Sequence, residues 1–302
     1  MANNIALAQK YLPILDEVYK WSARTSILDA ADVKFINANT VQLFKMSMDG
    51  LGTYNRSTGF VTGDVKGEWD SYALTQDRGR AFIIDSMDNE ETIGMAFGKL
   101  AGEFIRTKVA PEIDAYTFAT LAGTANILSA NADLAVGTTD VAALIENATE
   151  ALDAEEVPDT GRVIFMSEKC YNAMKQKIDR QLSTESGVST DVETFNGMRI
   201  VRVPQARFNT KITLYNGTDE GQTTGGFVVP TDETAYKINF MIVHPSAVIK
   251  VAKHVLPRIF SPQQYQQADA WKFDYRIYHD VFVEENKVKG IYLHRTSTAI
   301  TV

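Results

Sequence analysis

Gly94, Gly98 and Lys99 are spaced almost as in a phosphate-binding loop, where backbone N–H groups and a lysine cradle a nucleotide. The spacing is one residue short, and Leu100 stands where the motif needs Ser or Thr for Mg²⁺. The segment also reads as mid-helix, where the backbone N–H groups are already used. The four histidines, His244, His254, His279 and His294, include no H-E-x-x-H pair and no metal-ligand spacing. Each reads as a strand-surface or packed residue. His279 and Asp280 set an imidazole beside a carboxylate, but no G-x-S-x-G nucleophile motif accompanies them. Cys170 is the single cysteine and falls on the apolar side of a helix, so it reads as core. It excludes an internal disulfide and a multi-cysteine metal site, and it fits a reduced cytosolic setting. Asp85, Asp88, Glu90 and Glu91 gather at a helix start, where capping and the helix dipole account for them. Asp153, Glu155, Glu156 and Asp159 read as a solvated turn. The Asn55 to Ser57 triplet means nothing without secretion. No catalytic residue, organic cofactor or metal site is expected.

Gly94, Gly98 and Gly102 resist a bland reading, because they lie four apart on one helix face. Each costs a helix up to about 1 kcal/mol relative to alanine. One reading is accidental tolerance. The other is a smooth groove that lets another backbone press close, and it is preferred.

The elements that carry these residues follow from composition and periodicity. The chain has 302 residues, 45% hydrophobic and 23% charged, enough for one large core or two medium ones. Its net charge of −8 and the lack of a basic run argue against sequence-specific DNA binding. No transmembrane or secretory segment is visible. Ala8, Tyr11, Leu12, Leu15 and Tyr19 recur at helical spacing around Pro13, and the pattern turns irregular from Ser22 to Asn39. This start is either a helix on the subunit's own surface or an arm across a neighbour. Val41, Leu43 and Lys45 alternate with Gln42, Phe44 and Met46, which predicts a strand. Asp49 to Gln76 then holds Gly50, Gly52, Gly59, Gly63 and Gly67 with no helical period, and Glu68 to Thr75 returns as an extended arm. So long a loop is uncommon in a compact domain, and it predicts a projecting hairpin. Ala81 to Asp85 predicts a short strand. Ile93, Phe97, Leu100 and Phe104 form a helical stripe, and Pro111 ends that helix or starts a second with Ile113, Tyr116 and Thr120.

Next comes α/β patterning: a helix through Val141, Leu144, Ile145, Ala148 and Leu152, a turn at Pro158 to Gly161, and a buried strand from Arg162 to Met166. Ser167 caps a helix with Cys170, Tyr171, Met174 and Ile178. Asp179 to Asp191 and Asn216 to Gly226 are loops, and Asn196-Gly197 signals a hairpin. Strands are expected over Lys237 to Val243, Val248 to His254 and Lys289 to His294. Trp271, Phe273, Tyr275 and Ile277 alternate with Lys272, Asp274, Arg276 and Tyr278 as another strand.

Several segments, in order along the chain, resemble the major capsid proteins of tailed bacteriophages with the Hong Kong phage fold. They are Leu74 to Arg78, Phe82 to Asp85 with Asp88 and Glu91, Glu103 to Tyr116, Leu152 to Val163, Ala268 to Asp280, and Asn286 to Tyr292. The resemblance implies an α+β capsid fold. Its parts would be an N-terminal arm (1–38), a strand with an extended E-loop hairpin (39–85) and the long spine helix of a P-domain (86–124). A mixed α/β A-domain (125–250) and strands returning to the P-domain (251–302) would complete it. It implies a homo-oligomer of pentamers and hexamers forming an icosahedral virion shell, assembled in the host cytoplasm around packaged DNA that it touches without sequence preference. Portal and head-completion proteins are implied partners, with no membrane. No scaffolding segment precedes the arm, so Met1 argues for a separate scaffolding protein. The candidate intersubunit contacts are Gly94, Gly98 and Gly102, Lys66 as the loop's only lysine, and Trp69. The rival readings are an encapsulin-like nanocompartment subunit, which shares the fold, and a soluble α/β enzyme, which would need a convergent polar site.

Overall fold

The computed structural model describes residues 23–30, 35, 40–87, 95–135, 138–177, 192–231 and 233–301. The expected arm helix through Ala8 and Tyr19, the cap at Asp88, Ile93, and the loop from Asp179 to Asp191 lie outside them.

Thirteen strands are described. The centre is a six-stranded mixed sheet in the order β4 (Leu128–Asn131), β13 (Ile291–Ala299), β10 (Tyr236–Val243), β5 (Val163–Ser167), β7 (Met198–Val203) and β6 (Thr194–Phe195). Alternation along its inner strands feeds two cores. Val163, Phe165, Met241, Val243 and Leu293 face Phe118 and Leu121 of α2 (Ala110–Gly123). Ile164, Met166, Phe240 and Ile242 face Ile145 and Leu152 of α3 (Val141–Ala154), and Cys170 and Met174 of α4 (Glu168–Lys177). Both faces are covered, so the central strands read as unbroken apolar runs. Asp140 caps α3 by accepting from the Ala143 N–H, and the Ser167 hydroxyl accepts from the Cys170 N–H. Asn196 and Gly197 both take positive φ, 48° and 75°, in the two-residue turn between β6 and β7.

A second sheet joins β3 (Gln76–Asp85), β12 (Ala270–Val283) and β11 (Val248–Phe260). Phe273, Tyr275 and Ile277 are buried there, as their alternation predicts, against Ala101, Ile105, Val109 and Ile113 of the spine. The spine is one helical run: α1 (Met95–Phe104), a π-turn over Ile105–Val109, and α2. Pro111 sits in the first turn of α2, the second of two connected helical pieces, as the sequence allows. Its nitrogen has no hydrogen for the Thr107 carbonyl, and the wider turn just before it absorbs the mismatch. The strand predicted at Ala81 starts earlier, at Gln76, because Gln76 to Arg80 pair with Tyr275 to His279. β11 likewise runs past His254 to Phe260. Among the expected returning strands, β13 does not join this second sheet; it inserts between β4 and β10.

Strands β8 (Thr213–Tyr215) and β9 (Gly226–Val228) form a small separate ribbon. Arg78 ties it to the spine: it pairs with Glu112 at 2.7 Å and donates to the carbonyls of Tyr215 and Gly226. Near the N-terminal end, Asp114 is fully buried in α2. It accepts from the N–H groups of Arg24 and Thr25, the Thr25 hydroxyl and the Arg207 guanidinium. No described helix is long and apolar enough to cross a membrane.

Candidate assembly surface

The predicted projecting loop is a two-stranded ribbon. β1 (Thr40–Met48) and β2 (Val65–Ala73) pair antiparallel with each other and with no further described strand. Side chains directly opposite share a face. Phe44 faces Trp69, Met46 faces Gly67 and Met48 faces Val65, so the outer half carries one apolar face. Lys45 opposite Glu68 and Ser47 opposite Lys66 make the other face polar. The Phe44 and Trp69 rings lie 5.1 Å apart. A Cβ at Gly67 would fall 2.6 Å from Phe44 Cζ, so the glycine lets that ring fold across the strand. At the tip, Asn55 and Gly59 exchange backbone hydrogen bonds, and Tyr54 packs on Phe60 at 4.9 Å.

This surface is apolar and uncovered. Twelve large hydrophobic side chains are exposed among the described residues, and nine of them lie between Phe44 and Trp69. Phe44 is 52% exposed, Trp69 60% and Phe60 88%. Exposed apolar side chains gathered on one ribbon make it the candidate contact surface.

The root is fixed firmly. Val41 and Leu74 are buried with Ile249 and Val251. Tyr72 stacks on Phe282 at 5.1 Å. Asp280 accepts the Thr75 N–H and hydroxyl on one oxygen, and the Tyr116 hydroxyl and its neighbour's Val281 N–H on the other, all at 2.8 Å. One carboxylate thus joins the ribbon's return, the spine and β12. Burial and that bond to Asp280 push the Tyr116 phenol up. Lys45 reaches Glu285 at 3.2 Å, and this hydrogen bond raises its pKa.

The candidate contact residues are placed as follows. Trp69 sits in the apolar face. Lys66, exposed, projects from the opposite face, so the two cannot serve one flat contact. Gly94 lies outside the described residues. Gly98 and Gly102 both belong to α1, and a Cβ at Gly102 would meet nothing within 4 Å. Leu100 and Phe104 line a cleft of about 780 Å³ beside β3 and β9; Gly102 lies about 160° round the helix from either and faces elsewhere. Phe44, Met46, Met48, Tyr54 and Phe60 were not singled out from sequence. The signal was their parity: three apolar residues at even positions in β1, opposite odd ones in β2.

The groups with chemical potential are packed away. Cys170 is buried, and burial pushes its thiol up to about 12. Burial also lowers His279 and His294 to about 4. His294 stacks on Phe240 and bonds to Asn239. His244 instead bonds to Ser246 and the Thr160 carbonyl. No described group of three His, Cys, Asp or Glu side chains is placed to hold a metal.

A ribbon, a spine helix, an α/β sheet and a strand layer make up the architecture, and solved structures share it. No protein-family model and no curated protein sequence matches the chain. The structure of Gordonia phage Cozz is similar with a TM-score of 0.61 at 11% identity, covering 92% of this chain and 87% of that one. The capsid structure of cyanophage P-SCSP1u gives 0.60 at 11% identity, covering 88% and 86%. The virus-like particle from Pyrococcus furiosus gives 0.53 at 10% identity, covering 93% and 95%. The chain has the α+β fold of phage major capsid proteins.

Proposed function

We propose that the chain is the major capsid protein of a tailed bacteriophage, and that its role is structural rather than catalytic. The observation that carries this reading is the β1–β2 ribbon, rooted in the body and apolar on one face, which none of the described residues covers. In the proposed shell the neighbouring subunit covers that face. Each large apolar side chain so buried contributes about 1.5–3 kcal/mol. The surface it would occupy on the neighbour is the glycine face of the spine, where a Cβ at Gly102 would meet nothing within 4 Å and a foreign backbone could approach.

Pentamers and hexamers then close into an icosahedral head, with 1–38 as the arm, 39–85 as strand and E-loop, and 86–124 as the spine. The proposed A-domain is 125–250, to whose sheet β13 adds, and 251–290 returns to the P-domain. A net charge of −8 fits loose, sequence-independent contact with packaged double-stranded DNA. A separate scaffolding protein, a portal and head-completion proteins are the partners, and the site of assembly is the bacterial cytoplasm.

Electron microscopy of the protein expressed alone and with its neighbouring genes tests the reading. Closed shells or capsomers are expected; a monomer at every concentration in both settings overturns it. The likeness to the Pyrococcus furiosus virus-like particle favours a second reading, a nanocompartment shell. Purified particles holding protein cargo and no DNA would select it.

A further inference from the structure

A shallow cleft of about 850 Å³ opens where α2 ends, between β8 and the far end of β13. Lys211 and Arg295 line it, with Thr120, Thr213, Tyr116 and Gln76. No aspartate or glutamate lines it, although the chain has 38 acidic residues against 30 basic ones.

Among the described arginines, Arg295 has a covered guanidinium nitrogen without a hydrogen-bond partner. Arg78, Arg106, Arg162, Arg207 and Arg276 each pair with a carboxylate. Arg295 lies on β13 opposite Ile238 of β10, and its guanidinium rests 3.8 Å above the Tyr236 ring. Its Nη1 is covered, yet it has no hydrogen-bond partner. A buried donor of this kind is costly to leave unmatched, and a guanidinium suits a planar or tetrahedral oxyanion. Lys211 donates once, to the Thr234 hydroxyl at 2.9 Å, which leaves two of its three N–H donors for another acceptor. The C-terminal carbonyls of α2 would repel an anion. Thr124 takes up two of them, donating from its N–H to Leu121 and from its hydroxyl to Thr120.

We propose that this cleft is an oxyanion site, in which Arg295 and Lys211 bind a phosphate or carboxylate group. Tyr236 backs one face of the guanidinium, and the anion would bring the acceptor that Nη1 lacks. The site is independent of whether the chain builds shells.

The test is thermal melting and calorimetric titration of the unassembled full chain, with sodium phosphate or sodium acetate against sodium chloride at equal ionic strength. Phosphate, acetate or both should raise the melting temperature above chloride; which one does so identifies the geometry of the anion. Lys211→Gln and Arg295→Gln should each weaken anion binding by about tenfold or more. The proposal is overturned if neither anion exceeds chloride, or if the shift survives in both variants. Should Arg295→Gln not fold, Lys211→Gln decides: a full anion shift in that variant overturns the proposal, and its loss supports it.

Discussion

Strand β5 is buried at all five of its positions, while β2, nine residues long, is buried at none. Both are regular strands with complete pairing on at least one side. β5 lies between β10 and β7, under α2 on one face and α3 and α4 on the other. β2 has one partner and no layer on either face at its outer end. A lone two-stranded ribbon is marginal in water. Hydrogen bonding alone thus gives both strands their shape, and covering gives only one of them its stability. The uncovered ribbon keeps large apolar side chains nonetheless, which is the pattern of a face awaiting a second chain.

Substitutions should separate the two regions by their effect on the isolated subunit. Phe165→Ala empties the centre of β5, where the ring packs on Phe118 at 5.1 Å. It should cost about 3–5 kcal/mol in denaturant unfolding. Acid should act on the body of the subunit, through His294 in the central sheet and His279 in β12. His279 and His294 have folded pKa values of about 4, below the ordinary 6.5. The native state holds both rings neutral, so their contribution is complete above about pH 7 and is lost as pH falls from 6.5 towards 4. A loss on the order of a few kcal/mol should appear in melts across that window. The ribbon contains no histidine, and above pH 5 its amide exchange should not respond.

On the exposed side the effects on the subunit become small. Gly102→Leu should leave folding intact or raise helix stability by up to about 1 kcal/mol, since its Cβ has open space. Particle yield should fall, and normal particles from this variant would remove the glycine face from the interface. Smallest of all, Phe44→Ser with Trp69→Ser should move subunit stability by no more than about 1 kcal/mol, the worth of an exposed aromatic pair. Sedimentation should nevertheless show assembly abolished. A large loss of subunit stability would mean that the ribbon packs on its own body.

Much of the fold was legible because local signals agreed with their surroundings. Ser167 and Asn196-Gly197 each did locally what their residue types predict, and the alternation of Phe273, Tyr275 and Ile277 gave the buried face of β12. The first half of β3 was missed because Gln76 to Arg80 is polar and contains a glycine; it is a strand because β12 offers it a partner. The π-turn left no mark in the sequence beyond Pro111. The candidate site was half legible. Length and glycines gave the projecting ribbon, and Trp69 was named. Phe44, Met46 and Met48 were passed over, because an exposed apolar face has the same periodicity as a buried one.

Asp280 has a consequence at a distance. β2 extends about 30 Å from Thr75, at about 3.3 Å per residue. A rotation of about 10° at that root would swing Val65 by about 5 Å, more than the width of a side-chain contact. Aim at the far end is therefore decided at the near end, by one carboxylate holding two hydrogen bonds from Thr75 and one from Tyr116. The ribbon behaves as a lever, and its accuracy is that of its pivot.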